Sequence, residues 1–316
     1  MILPTKYHLP VLLPEVLNGL KIKKGERYID ATLGDGGYTF EILKWGGEVL
    51  GIDTDEDSIR YVKAKLETPK GRPNWKLEEK KNLYLVHGNF ADLTRIAKKF
   101  GFDKVSGILF DLGMSTYQLE HSGRGFSYMG DEPLDMRMDE RQKITASDII
   151  NNCTRGELYE IFTKFAEELH SGAIAAAVLR TRTLKGRIER TKTLRAVVEE
   201  VLRQVYPGIR QMEFEKVRNG TLARIFQSLR ISVNNEIENL KKGLVQAEKL
   251  LMQKGRLVVL SYHSLEDRVV KKILKESDQE ERLRILTKRP ITASYAEIKA
   301  NPKVRSAKLR IAEKYV

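Results

Sequence analysis

Apolar and polar positions change period along this chain, and the changes mark out its organisation. Over the first 112 residues, short unbroken apolar runs alternate with amphipathic stretches. Tyr28 to Leu33, Glu48 to Asp53, Leu83 to His87 and Val105 to Asp111 read as strands buried on both faces. Thr39 to Trp45, Asp57 to Leu66 and Leu93 to Phe100 read as the intervening helices, the first closed by Gly46-Gly47 and the last by Gly101. Residues 68–82 are polar and broken by two prolines, which predicts a surface loop. Strands alternating with helices in this way predict a parallel sheet covered on both faces.

The pattern then shifts. Residues 112–142 are loop-like, with Gly113, Gly123, Gly125, Gly130 and Pro133. Residues 145–205 are helical throughout, and 224–252 form one long helical pattern stopped at Gly255. Arg256 to Ser261 returns as a strand, followed by a helix from Leu265 to Lys275. Segments 282–292 and 306–316 add an edge hairpin. The fold class is therefore α/β. A doubly wound, Rossmann-like domain (1–112 and 222–316) is interrupted after its fourth strand by a loop and an all-helical insertion (113–221).

Charge narrows the partners. The net charge is +13 and the isoelectric point about 9.5, which points to a polyanion, with nucleic acid the first choice. The single cysteine, Cys153, excludes a disulfide framework or a cysteine zinc site within one chain. The five histidines (His8, His87, His121, His170, His263) form no close ligand pair, so no metal is expected. The apolar runs are too short to span a bilayer, and the first ten residues lack a signal or transit pattern. The expected location is cytoplasmic, with no membrane partner. Monomer and homodimer are both compatible with the sequence.

The segment "IDATLGDGGYTF" (29–40) carries the chemistry. It lies at the carboxyl end of the first strand, where doubly wound sheets bind ligands. A dinucleotide fingerprint counted from Gly34 needs Gly or Ala at position 39 and meets Thr39 instead. A phosphate loop needs Lys-Ser/Thr after its last glycine and meets Tyr38-Thr39. What is left is an acidic residue in the strand (Asp30), a glycine turn, and an acidic residue closing the second strand (Asp53), placed to accept the hydroxyls of a ribose. This resembles the first motif of S-adenosylmethionine-dependent methyltransferases; a turn without a ligand is the plainer alternative. Phe90 in "HGNF" is either an adenine wall or a core phenylalanine. Asp111, closing the fourth strand, sits where a reacting group belongs, or else caps the next turn.

Beyond Asp111 the text becomes distinctive. "DLGMSTYQLEHSGRGFSYMGDEPLDMRMD" (111–139) resembles the bacterial ribosomal RNA small-subunit methyltransferase H family, also called MraW. So do "YHLPVLLPEVL" (7–17), "HGNF" (87–90), "FQSLRISVNNEI" (226–237), "GRLVVLSYHSLEDRVVKK" (255–272), "RPIT" (289–292) and "NPKVRSAKLR" (301–310). The resemblance implies methylation of the N4 amine of a cytidine in 16S ribosomal RNA, with naked RNA or the small ribosomal subunit as partner. It places S-adenosylmethionine on Gly36, Gly37, Tyr38, Asp53, Phe90, Asp111 and Gln118. Departures are Tyr38 where the family usually has His, Thr116-Tyr117 for Ser-Pro, and the stretches 171–178 and 219–227. An RNA-binding assembly factor with a non-catalytic pocket, or a methyltransferase of another RNA, are the rivals.

The chemistry needs an acceptor for the amine proton. Asp111 and His263, the latter in "SYHS" after the fifth strand, are the candidates; His263 as a helix cap is the alternative. Tyr262 is either a stacking platform for the extruded base or a buried structural ring. Residues 179–195 carry Arg180, Arg182, Lys185, Arg187, Arg190, Lys192 and Arg195 against Glu189 alone, and are read as phosphate contacts rather than a solvated face. Arg124, Arg137, Lys308 and Arg310 join them at motif positions. Asp135 and Asp139 read as loop-ordering carboxylates paired with Arg137.

Overall fold

The computed structural model describes residues 10–67 and 79–315. Most of the expected 68–82 loop, His8 and the start of the 7–17 motif lie outside these residues. The chain divides into two compact units, 1–113 with 237–316, and 114–236.

In the first unit α1 (Leu13–Leu20) precedes an alternation of β1 (Arg27–Asp30), α2 (Gly37–Lys44), β2 (Glu48–Asp53), α3 (Glu56–Glu67), β3 (Leu83–His87), α4 (Leu93–Lys99) and β4 (Val105–Asp111). It resumes with α11 (Glu236–Leu250), β5 (Leu251–Ser261), α12 (Ser264–Gln279), β6 (Leu283–Ile285), β7 (Ile291–Thr292), α13 (Tyr295–Ala300) and β8 (Lys308–Lys314). The strand order is β3-β2-β1-β4-β5-β8-β6, with β7 also on β8. The first five strands are parallel, so the order reverses between β1 and β4, and that crevice is the topological switch point. The expected tail hairpin forms, but β8 is no edge. It runs antiparallel along β5 and carries β6 and β7 on its other side.

Both sheet faces are buried, as unbroken apolar strands require. Alternate residues of each strand enter alternate layers. Tyr28, Val49, Leu109 and Val258 pack with Val16, Phe40, Ile42 and Ile59 from α1, α2 and α3. Ile29, Leu50, Ile108, Phe110 and Val259 pack with Ile96, Leu244 and Val270 from α4, α11 and α12. Among the described residues, no helix is long and apolar enough to cross a membrane.

The second unit holds α5 (Thr116–His121), α6 (Ala146–Asn152), α7 (Arg155–Ala166), α8 (Ser171–Lys185), α9 (Thr191–Val205) and α10 (Gln211–Asn234). Its core is its own: Phe126, Met136, Phe162, Val178, Leu194, Leu202, Phe226 and Leu229 close on one another. The return point differs from the expected residue 222. α10 runs unbroken from Gln211 to Asn234 and buries Phe214, Leu222, Phe226 and Leu229 in this core, so the helical unit continues through Glu236. The long 224–252 helix is likewise two. Asn235 takes a left-handed conformation, φ 50°, and ends α10 by donating to the carbonyls of Ile231 and Ser232. β5 starts early because its register shifts opposite Val105 and Gly107, a bulge that also holds Lys254 at φ 61°.

Asn234 clamps the loop before α6. Its Oδ1 accepts the Met138 N–H at 2.7 Å, and its Nδ2 donates to the Met136 carbonyl at 2.8 Å. Met136 itself sits at φ 60° and is fully buried. Asn234→Ala leaves one buried and one half-buried backbone group unpaired and should cost about 2–3 kcal/mol, read as a lower urea midpoint at unchanged slope.

Candidate functional site

The switch point is built from the ends of β1, β2, β4 and β5. Asp30 pairs in register with Gly51 of β2 and with Leu109 of β4. Asp53 and Asp111 lie two residues beyond those partners. The two-residue side-chain period therefore puts all three carboxyls on one face of the sheet, at their carboxyl ends. Asp111 pairs with Leu260, so Tyr262, two residues on, shares that face.

The turn after β1 needs glycine. Gly34 and Gly36 have φ of 49° and 76°. A Cβ on Gly36 would lie 2.9 Å from Phe40 and 3.0 Å from Val62, so neither conformation nor space admits a side chain. Asp53 holds this turn: Oδ2 accepts the Gly34 N–H at 2.8 Å and Oδ1 accepts the Asp55 N–H at 2.8 Å. Asp30 holds its inner side, accepting from the Thr39 hydroxyl at 2.7 Å and the Thr32 N–H at 3.3 Å. Thr39, which breaks the dinucleotide fingerprint, is fully buried and serves Asp30. The Thr32 hydroxyl in turn accepts the Asp111 N–H at 2.6 Å and ties β4 to the loop.

Asp111 Oδ1 is buried with no hydrogen-bond partner among the described residues. Burial pushes its pKa up to about 6, helped by the charge of Asp30 and opposed by the Tyr262 hydroxyl and the Gly113 N–H. Burial likewise lifts Asp53 to about 7 against the N–H groups of Asp55 and Gly34, and Asp30 to about 6 against Thr39 and Thr32. Three carboxyls so placed repel a pyrophosphate. They suit a ligand whose polar groups are an ammonium, a sulfonium and a ribose diol, which is the acceptor set that S-adenosylmethionine needs.

The remaining expected cofactor positions fall as follows. Gly37 starts α2, and a Cβ there would meet Pro10 at 2.5 Å. Tyr38 is buried, and its hydroxyl donates to the Val11 carbonyl at 2.6 Å, so it anchors the segment before α1. Burial, with Asp111 and Tyr262 nearby, raises that hydroxyl well above the usual tyrosine range. Phe90 meets Phe110 edge-on at 5.5 Å and would be struck by a Cβ on Gly243 at 2.8 Å, so one side of its ring is core. Gln118 belongs to the second unit. It is the third residue of α5 and forms a capping box with Ser115, each backbone N–H donating to the other's side chain at 3.1 Å. His263 caps α12: Nδ1 accepts the Glu266 N–H at 3.3 Å, and Nε2 lies 3.0 Å from Glu266 Oε1. A capping Nδ1 is unprotonated, so the ring proton sits on Nε2.

Several basic candidates are engaged internally. Arg124 is 7% exposed and donates to the carbonyls of Arg137 and Met138 at 3.1 and 3.2 Å. Arg310 is equally buried and forms a two-point pair with Asp267 at 2.7 and 3.2 Å, which Lys308 joins at 3.3 Å. Burial would raise Asp267, but Arg310 and Lys308 outweigh it and hold the carboxyl below its usual value. Arg137 is forked onto Asp135 at 2.7 Å, while Asp139 pairs with Arg141 and not with Arg137. Arg182 donates to the Ile150 carbonyl at 2.8 Å, Arg190 pairs with Asp131 at 2.7 Å, and Arg195 reaches the Tyr128 and Met129 carbonyls. Arg180 and Arg187 keep about half their side-chain surface, at 51% and 53%, while pairing with Glu200 at 3.0 Å and with Asp148 and Glu189 at 3.7 Å, and Lys185 is exposed.

The raised carboxyls fix a pH dependence. Their folded pKa values exceed the unfolded ones, so their contribution to stability is complete below about pH 4 and is lost as pH rises through 6 to 7. Cofactor-free protein should lose stability across that window. The same ionisation should tighten binding of the cationic cofactor by about tenfold between pH 5.5 and 7.5 in calorimetry, and a flat affinity would refute this electrostatic account.

The MraW methylase family profile matches residues 5–315 of this chain. Ribosomal RNA small subunit methyltransferase H of Persephonella marina is 42% identical over 97% of this chain and 99% of its own length. The proteins of the same name from Carboxydothermus hydrogenoformans and Sulfurihydrogenibium sp. are 38% and 39% identical, covering 97% and 96% of this chain and 97% and 98% of their own. With this crevice of carboxyls and near full-length similarity, the chain belongs to the MraW methylase family.

Proposed function

We propose that this protein transfers the methyl group of S-adenosylmethionine to the N4 amine of a cytidine in 16S ribosomal RNA of the small subunit, in the cytoplasm. The relatives' name supplies the substrate class. The observation that carries the chemistry is the buried, unpartnered Oδ1 of Asp111 at the switch point.

S-adenosylmethionine, when bound, supplies an electrophilic methyl group on a sulfonium sulfur. Gly36, Gly37 and Asp53 would hold its nucleoside end and Phe90 would offer its ring; Gln118, in the other unit, is a position that the family resemblance adds. The exocyclic amine of cytosine is a poor nucleophile, because its lone pair is delocalised into the ring. Asp111 Oδ1 accepts one amine N–H, which fixes the direction of the lone pair and stabilises positive charge growing on nitrogen. The amine must lose one proton on methylation, and Asp111, lifted toward neutral pKa, would be its first acceptor. His263 is placed instead as the cap of α12, its Nδ1 accepting the Glu266 N–H. It acts by holding the start of α12.

The insertion (114–236) is the RNA-recognition unit on this reading. Arg180, Lys185 and Arg187 are its phosphate contacts, because their side chains stay exposed to solvent even where Arg180 pairs with Glu200 and Arg187 with Asp148. Arg124, Arg137, Arg182 and Arg310 order the chain instead.

Two experiments test the proposal. Mass spectrometry of 16S ribosomal RNA from cells lacking the protein should show one cytidine short of a methyl, restored by the wild type. Asp111→Ala should restore it about a hundredfold more slowly or worse, and normal methylation by that variant would remove Asp111 from the chemistry. Replacing Arg180, Lys185 and Arg187 with Gln should weaken RNA binding and flatten the slope of log affinity against log salt by about 2; an unchanged slope assigns these residues to a solvated face.

A further inference from the structure

β1 parts from β4 at one residue. Asp30 is level with Leu109 of β4 and Gly51 of β2, so Thr32, two residues on, is level with Asp111 and Asp53. N–H groups two residues apart on a strand point to the same neighbour. Here they do not. The Ala31 N–H donates to the Leu109 carbonyl of β4 at 2.9 Å, and the Leu33 N–H donates to the Ile52 carbonyl of β2 at 2.9 Å. The chain therefore rolls over at Thr32, stays with β2 and leaves β4. β4 keeps β5 on its other side, where the Leu112 N–H donates to the Leu260 carbonyl at 3.1 Å. The crevice thus opens between β1 and β4, and the Thr32 side chain bridges the parting: its hydroxyl accepts the Asp111 N–H at 2.6 Å.

That hydroxyl has a proton still to give. A threonine oxygen accepts through its lone pairs and donates through its one hydrogen. Thr32 Oγ1 accepts from Asp111, and among the described residues no group takes its proton. Thr32 is half-buried, where an unspent donor gains by finding an acceptor. The side chains of Asp30, Asp53 and Asp111 favour the ammonium, the sulfonium and the ribose of S-adenosylmethionine, but they repel the carboxylate of its amino-acid end. A ligand with its ribose at Asp53 of β2 that reaches toward Asp111 of β4 crosses the end of β1. Its amino-acid end then falls at the parting that Thr32 bridges.

We infer that Thr32 is a cofactor-binding residue: its hydroxyl donates to the carboxylate at the amino-acid end of S-adenosylmethionine while it accepts the Asp111 N–H. The inference rests on the function proposed above and adds a residue to its site. One hydroxyl then joins the seat of the cofactor to the backbone of the acid that faces the amine.

Calorimetry on the full-length protein tests this with two ligands. S-adenosylhomocysteine has the amino-acid end; methylthioadenosine keeps the nucleoside and the sulfur but lacks both the carboxylate and the ammonium. Thr32→Val keeps the side-chain shape and removes the hydroxyl. It should weaken S-adenosylhomocysteine about tenfold or more and leave methylthioadenosine within about twofold, since a hydrogen bond to a charged group is lost for one ligand only. Thr32→Ser, which keeps the hydroxyl, should hold S-adenosylhomocysteine within about threefold of the wild type. Thr32→Ala removes the hydroxyl with less bulk and should show the same selective loss, which keeps the test open if the valine variant does not fold. A threonine that only braces β4 would weaken both ligands alike when replaced. Equal weakening of the two, or unchanged S-adenosylhomocysteine affinity in the hydroxyl-free variants, overturns the inference while wild-type binding stands. A wild type that binds neither ligand overturns the methyl-transfer reading itself.

Discussion

Asp53, Asp30 and Asp111 end three neighbouring parallel strands on the same face of the sheet, Asp30 fully buried and the other two half-buried. Burying one carboxylate is costly, and burying three side by side raises all of them. The local sequence is arranged around that cost. Gly34 and Asp55 give N–H groups to Asp53, and Thr32 and Thr39 give donors to Asp30. The sum is nearly complete. What is left over is an acceptor at Asp111 Oδ1, and that remainder selects a cationic, hydrogen-bond-donating ligand over a phosphorylated one.

This constraint explains details that otherwise look incidental. Thr39 excludes a nicotinamide fingerprint, but its positive role is to hold a buried acid. Tyr38 keeps the loop in place from the core side by reaching Val11. Around the strand ends, the packing residues and the polar donors come from the same short stretches of chain, so binding geometry and folding are hard to separate.

The helical unit follows a different logic. It has its own apolar core, and many of its arginines work as internal fasteners, with Arg124, Arg182 and Arg195 each donating to backbone carbonyls of irregular segments. A guanidinium with five donors is well suited to satisfying loop carbonyls. The strong positive balance of the chain is therefore only in part a surface for polyanions.

Much of the first unit was legible in sequence. β2, β3 and β4 start and end where their apolar runs do, because a strand buried on both faces leaves an unbroken signature. The glycine turn, Asp53 and Asp111 could be found from spacing, since a strand end followed by a turn is a local event. The division at Asn235 was not legible, because asparagine enters the left-handed region at little cost and leaves the apolar rhythm of α10 and α11 intact. Nor could sequence distinguish Arg182 from Arg187, or Arg310 from a phosphate contact. Charge is a property of the residue, but whether it is free depends on which carbonyl or carboxylate folding brings beside it, here Ile150 and Asp267. The amino-acid order alone thus determined the elements, the family and the acids at the strand ends. Tertiary structure decided the pairing register that turns three acids and Tyr262 onto one face.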